Sequence, residues 1–130
     1  MVDISPAVFE QHQLIQSYGD GGFRIAGVDY KGSVLIEAKK THLWSVADSV
    51  SITLADLTPI TQTIELQAAT GVVLLLGTGS EPAIVDKSLR VDLRRLGIGL
   101  EVMGTGAACR TFNVLLAEDR AVIAALIAVA

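Results

Sequence analysis

Cysteine occurs once in the 130 residues, at Cys109. That excludes an intramolecular disulfide framework and a Cys-rich zinc site, and it fits a reducing compartment. Aromatic residues make up only 5% of the chain, so its apolar surface comes from Ala, Val, Ile and Leu. Positive charge is in deficit, ten Lys and Arg against fourteen Asp and Glu, for a net charge of −4. General nucleic-acid binding needs a cationic field that displaces counterions from phosphates, so this function class is set aside. The longest apolar run, Ala121 to Ala130, is about half the length a membrane-spanning helix needs. No Lys or Arg precedes Arg24, whereas Asp3, Glu10 and Asp20 are acidic, the reverse of a secretory signal or a transit peptide. The expectation is a cytoplasmic protein, or one already processed, with no signal or transit peptide and no membrane span. The acidic residues show neither EF-hand nor D/E-x-x-H spacing, so no metal and no cofactor are expected.

What is present is enough aliphatic chain for one domain. Just over half the residues are hydrophobic and 18% are charged, which excludes a disordered tail or linker. Residues 1–20 mix polar and apolar types without a sustained period and read as an N-terminal arm, leaving 21–130 as a single α/β domain. The runs around Phe23 to Val28 and Ser33 to Ala38 predict two strands of a hairpin or meander, with a third around Thr41 to Val46. Trp44 offers the largest apolar surface of this section and is expected on the core. Pro59 suits the first turn of a short helix running to about Ala68, with Ile60, Ile64 and Gln67 at helical spacing. Val72 to Leu76 is uninterruptedly apolar and bounded by glycines, the pattern of a strand covered on both faces. Asp86 then caps a helix whose Leu89, Leu93 and Leu96 recur at i, i+4 and i+7, stopped by Gly97. Ile98 to Met103 reads as a strand, and Thr105 as the N-cap of a further helix burying Phe112, Leu115 and Leu116. Propensity allows one continuous helix from Gly106 to Val129. The preferred reading breaks it at Glu118-Asp119-Arg120, where Asp119 tolerates a helix stop, and makes Arg120 to Val129 a buried strand. Strand–helix–strand–helix–strand from Val72 onward argues for a layered sheet with helices packed on it.

Two Gly-Thr-Gly triplets, Gly77-Thr78-Gly79 and Gly104-Thr105-Gly106, each follow a predicted strand. On parallel strands both lie at the carboxyl edge of the sheet, the usual ligand crevice of open α/β folds. Neither continues as a known phosphate loop, and Glu81-Pro82 follows the first where a helix should begin, so ordinary tight turns are the commoner meaning. Cys109 near the start of a helix has no histidine near it, His12 and His42 being far away in sequence; a buried small hydrophobe is the favoured reading. Lys87, Arg90 and Arg94 share one helix face opposite the leucines. The commoner meaning is a solvated face, and the alternative is a docking surface for an acidic protein partner.

Ile15-Gln16-Ser17-Tyr18-Gly19, Gly22-Phe23-Arg24-Ile25-Ala26-Gly27-Val28, Gly32-Ser33-Val34-Leu35, Leu76-Gly77-Thr78-Gly79 and Gly97-Ile98 stand in an order and spacing that resemble a known family. So does Thr105 to Ile127, with Arg110-Thr111-Phe112-Asn113 and Glu118-Asp119-Arg120. The family is a small domain of unknown function, widespread in bacteria, whose mitochondrial member is assembly factor 3 of NADH:ubiquinone oxidoreductase (complex I). The resemblance implies a three-layer α/β fold with a mixed central sheet flanked by helices, an added N-terminal antiparallel β element and a last strand at Val122 to Val129. Members usually carry Glu-Gly-Arg where Glu118-Asp119-Arg120 stands here. No established enzymatic activity comes with the resemblance. Its signature positions, Gly77, Thr78, Gly79, Thr105, Arg110, Asn113, Glu118 and Arg120, are expected to cluster at one end of the sheet as the ligand-binding candidates. Three functions compete: a non-catalytic assembly or interaction protein with a respiratory-complex partner, an anionic small-molecule binding domain or enzyme at that sheet edge, and self-association.

Overall fold

A computed structural model describes residues 1–4, 13–63 and 69–130. Nine strands and three helices are formed among them, in two sheets. Strands β1 (Val2–Asp3), β2 (Ile15–Gly19), β3 (Gly22–Ile25) and β4 (Val28–Lys31) make a small antiparallel sheet in chain order. The segment read as an arm therefore carries two strands, whose pairing is set by turns and long-range packing that a local pattern does not display. Its Gly and Asp cluster is a hairpin turn: Asp20 and Gly21 have φ of 52° and 78° between the paired Gly19 and Gly22. A second two-residue turn, Ala26-Gly27, has φ of 49° and 81°. Positive φ at both central residues matches the right-handed twist of the flanking strands.

The second sheet has the order β6-β5-β9-β7-β8, where β5 is Ser33–Ile36, β6 Thr41–Trp44, β7 Val72–Gly77, β8 Ile98–Met103 and β9 Val122–Leu126. β7 runs parallel to both β8 and β9, whereas β5 is antiparallel to β6 and β9. The sheet is thus mixed, and the two parallel strands expected from sequence lie side by side, Val72 opposite Ile98 through Gly77 opposite Met103.

Side chains of the strands alternate between two cores. Leu35, Leu74, Leu76, Ile98, Leu100, Ile123 and Ala125 face one core, with Trp44, Leu57 and Ile60. That side is closed by two short 3-10 turns, Ser49–Ser51 and Leu54–Leu57, and by helices α1 (Thr58–Thr61) and α2 (Lys87–Arg95). Val34, Ile36, Leu75, Val122, Ala124 and Leu126 face the other, against Phe112 and Leu116 of α3 (Thr105–Ala117) and Ile15, Phe23 and Ile25 of the small sheet. The result is three layers, with the helices on both faces of a mixed sheet. Trp44 is buried as expected and donates its indole N–H to the Asp56 carbonyl at 3.0 Å. Pro59 does sit in the first turn of α1, while Ile64, Gln67 and the expected end at Ala68 lie outside the described residues.

Helix boundaries follow local chemistry. Asp86 accepts from the Ser88 N–H at 2.9 Å and starts α2; Gly97, φ 79°, ends it. Leu89 and Leu93 are buried but Leu96 is half exposed. It lies beyond the last helical residue, where the chain has left the helix to enter β8, so the i+7 position no longer faces the sheet. Asp119, φ 60°, stops α3. Its N–H donates to the Leu116 carbonyl and that of Arg120 to Leu115, both at 3.0 Å, the paired bonds of a Schellman stop.

Candidate functional site

The two Gly-Thr-Gly triplets meet at the carboxyl ends of β7 and β8. Gly77 is where the backbones come closest: a Cβ there would stand 2.9 Å from Thr105 Cα and 3.0 Å from Leu126 Cδ2. Thr105 is fully buried. Its hydroxyl donates to the Ile127 carbonyl at 2.7 Å and accepts from the Gly79 N–H at 3.0 Å, while its own N–H donates to the Gly79 carbonyl at 2.7 Å. Thr105 is therefore not the N-cap. Gly104 holds that position with no side-chain cap, because the Thr105 hydroxyl is drawn sideways into the sheet. The Thr78 hydroxyl donates to the Glu81 carbonyl at 2.9 Å and accepts from the Ala83 N–H at 3.0 Å. Both threonines thus join the ends of β7 and β9, the loop after β7 and the start of α3 into one junction.

Beside this junction lies an open groove of about 670 Å³, lined by Tyr18, Ser80, Gly106, Arg110 and residues 128–130, among others. Arg110 is exposed, and its guanidinium donates to the Tyr18 hydroxyl at 3.2 Å. Tyr18 was not legible as part of this site, since its approach depends on β2 packing under α3. Asn113 takes a different position. It is buried, its Oδ1 accepting from the Ile15 N–H at 3.0 Å and its Nδ2 donating to the Ile15 carbonyl at 2.8 Å. This side chain completes the backbone hydrogen bonding of a strand against a helix.

Glu118 and Arg120 stand at the far end of α3, roughly 20 Å along its axis from Thr105, before β9 begins. Arg120 lines a separate small cavity of about 100 Å³ with Glu37, Lys39, Thr63 and Leu116. The eight signature positions therefore do not form one cluster: Gly77, Thr78, Gly79, Thr105 and Arg110 stand at the carboxyl edge of β7, Glu118 and Arg120 at the opposite end, and Asn113 between them against Ile15, because α3 runs antiparallel to β7 and β9. Cys109 is buried, and burial pushes its thiol up to about 12, Arg110 lowering it only partly. Among the described residues no group of three His, Cys, Asp or Glu is placed to hold a metal ion, and no helix is long and apolar enough to cross a membrane.

On α2, Lys87, Arg90 and Arg94 are exposed and share the outward face with Val91. Among the described residues none of the three cations forms an ion pair. Arg90 instead donates to the Leu100 carbonyl of β8 at 2.6 Å.

Comparison with known proteins places this geometry. An uncharacterized protein of Rhodobacter capsulatus is 40% identical over 113 residues, covering 87% of this chain and 82% of its own length. NADH dehydrogenase [ubiquinone] 1 alpha subcomplex assembly factor 3 is 31% identical in Xenopus tropicalis over 90% of this chain, and 31% in Homo sapiens over 90%. The chain spans 62% and 61% of the length of those two relatives. The crystal structure of a Bartonella henselae protein, described as an outer membrane protein, superposes with a TM-score of 0.81 at 40% identity, over 95% of this chain and 100% of that one. A Bordetella pertussis protein described as an Mth938-like domain gives 0.72 at 26% identity, over 98% and 92%. With residues 15–127 matching the family described as protein of unknown function (DUF498/DUF598), the chain belongs to that family.

Proposed function

We propose that this chain is a non-catalytic interaction protein that takes part in assembling a respiratory NADH dehydrogenase, acting in the cytoplasm through binding to a subunit or assembly factor of that complex. The observation that carries the reading is the 31% identity to the assembly factors over 90% of the chain. Local geometry supports it. The two threonine hydroxyls at the carboxyl edge of the sheet are spent on holding the fold together, and the one thiol is buried and held protonated. Affinity purification of the tagged chain from native membranes in mild detergent is the test. The reading expects NADH dehydrogenase subunits or their assembly factors in near-stoichiometric amount. Recovery of the chain alone, or of unrelated proteins only, contradicts it.

A second reading is favoured by the groove at Tyr18 and Arg110. An anion bound there would meet an exposed guanidinium beside the start of α3, where backbone dipoles add a weak positive field. It predicts that carboxylate or phosphate metabolites raise the melting temperature of the wild type and leave Arg110→Ala unmoved. Equal shifts in both proteins would contradict it.

A further inference from the structure

Strand β8 ends the five-stranded sheet, and among the described residues no strand pairs with its outer side. The parity of its backbone is fixed by two bonds. The Met103 carbonyl accepts from the Thr78 N–H at the end of β7, so Gly99, Glu101 and Met103 turn their peptide groups toward β7. The Leu100 carbonyl accepts from Arg90, so Ile98, Leu100 and Val102 turn theirs outward. Two open grooves run along this edge and share Arg90. One, of about 410 Å³, is lined by Arg90, Arg94 and residues 97–101; the other, of about 380 Å³, by Ile84, Lys87, Val91 and Val102 among others. Ile84 is 93% exposed and Val91 43%. Exposed aliphatic side chains, unpaired cations and unpaired strand amides therefore lie along one line.

We infer that the β8 edge takes an acidic, extended segment of a partner protein as an added strand, with carboxylates on Arg90, Arg94 and Lys87 and apolar side chains on Ile84 and Val91. The inference rests on the interaction reading above and names its partner's chemistry. Strand addition supplies main-chain hydrogen bonds for affinity and alternate side chains for specificity. The charge argument selects the occupant. This face is cationic in a chain whose net charge is −4. Nearby carboxylates offset it only in part: Asp92 pairs with Arg95, while Asp86 at the start of α2 and Glu101 on β8 line the two grooves against the three cations Lys87, Arg90 and Arg94. A second copy of the chain fits poorly: edge-to-edge antiparallel pairing of β8 with itself puts both α2 helices on one side of the joint sheet, cation facing cation. Arg90 now covers one outward carbonyl, which blunts the edge while no partner is present.

The test uses the full chain and a capped peptide of about ten residues alternating Glu and Val, followed by NMR and by amide hydrogen exchange. Binding is expected to protect the Ile98, Leu100 and Val102 amides and to weaken as salt rises from roughly 50 to 500 mM. The Lys-for-Glu peptide and a peptide N-methylated at alternate amides are expected to lose it. Arg94→Glu alone, at an exposed position without a hydrogen bond to the strand, is expected to weaken binding about tenfold, and Arg90→Glu with Arg94→Glu further. The inference is overturned by no binding at about millimolar peptide, by equal binding to the variants, by protection at Tyr18 and Arg110 instead, or by a concentration-dependent dimer that occupies β8. Co-purification separates this from the broader reading. If the double variant still recovers NADH dehydrogenase subunits, this edge fails and the assembly role stands; if the peptide binds as expected but the wild type recovers none, the role fails and the edge stands.

Discussion

Thr105 shows how a residue that looks like chemistry is spent on structure. Its hydroxyl bridges the Ile127 carbonyl and the Gly79 N–H, both at a buried junction. Thr105→Val removes both bonds while keeping shape, leaving two buried groups unpaired, and is expected to cost about 2–4 kcal/mol of unfolding free energy in urea titration. Thr105→Ser is expected to recover most of that. Asn113→Ala removes the two bonds to Ile15 and is expected to cost a similar amount, with exchange of the β2 amides accelerated. Cys109 gives a pH prediction with a definite sign. Its folded pKa, raised by burial from 9.0 to about 12, exceeds that of the unfolded chain, so the unfolded state loses its proton first as pH rises. Its contribution is intact below about 9 and is lost progressively between 9 and about 12. Thiol reagents at pH 8 are expected to label it only as fast as the chain opens, and rapid labelling of the folded protein would contradict its burial.

Elements were legible where one short window held both the pattern and its stops. Val72 to Leu76 between glycines, Asp86 before the Leu89 and Leu93 stripe, and Gly97 after it all fix themselves locally, and the structure has them there. Strand β2 was not legible, because Ile15–Gly19 becomes a strand by pairing with β3 and by the Asn113 side chain, 98 positions away in sequence. The strand expected at Phe23 to Val28 is split by the Ala26-Gly27 turn into β3 and β4, and Ser33–Ile36 pairs in the other sheet rather than with it. The signature residues do not meet for a related reason: α3 carries Glu118 and Arg120 across the whole sheet from Thr105, a separation that adjacency in sequence to one helix does not display. At the α3 stop, Asp119 holds φ 60°, a conformation glycine adopts without steric cost. Asp119→Gly, the residue the resembling family usually carries, is expected to raise stability by about 0.5–1 kcal/mol, seen as a higher melting temperature. Gly77→Ala is expected to do the opposite, since its Cβ would meet the Thr105 backbone at 2.9 Å; a loss of about 1–3 kcal/mol is expected from the displaced helix start.

For the molecule as a whole, the three layers and the mixed sheet followed from the strand–helix alternation together with the family resemblance, whereas the strand order β6-β5-β9-β7-β8 required coordinates; the neighbours in structure superpose on the same fold. Function is a property of the surface, and surface pattern is where sequence is weakest. The cationic face of α2 was visible as a spacing, but the open β8 edge beneath it and the exposed Ile84 and Val91 required coordinates. The proposed role, binding a protein of a respiratory NADH dehydrogenase during its assembly, has a direct consequence in the cell. The most direct measurement is the amount of assembled enzyme in membranes of a strain lacking the gene, read by native electrophoresis with in-gel NADH oxidation. The account predicts a marked loss of the full-size complex with smaller intermediates accumulating, restored by the wild-type gene. Unchanged assembly in the deleted strain would contradict it.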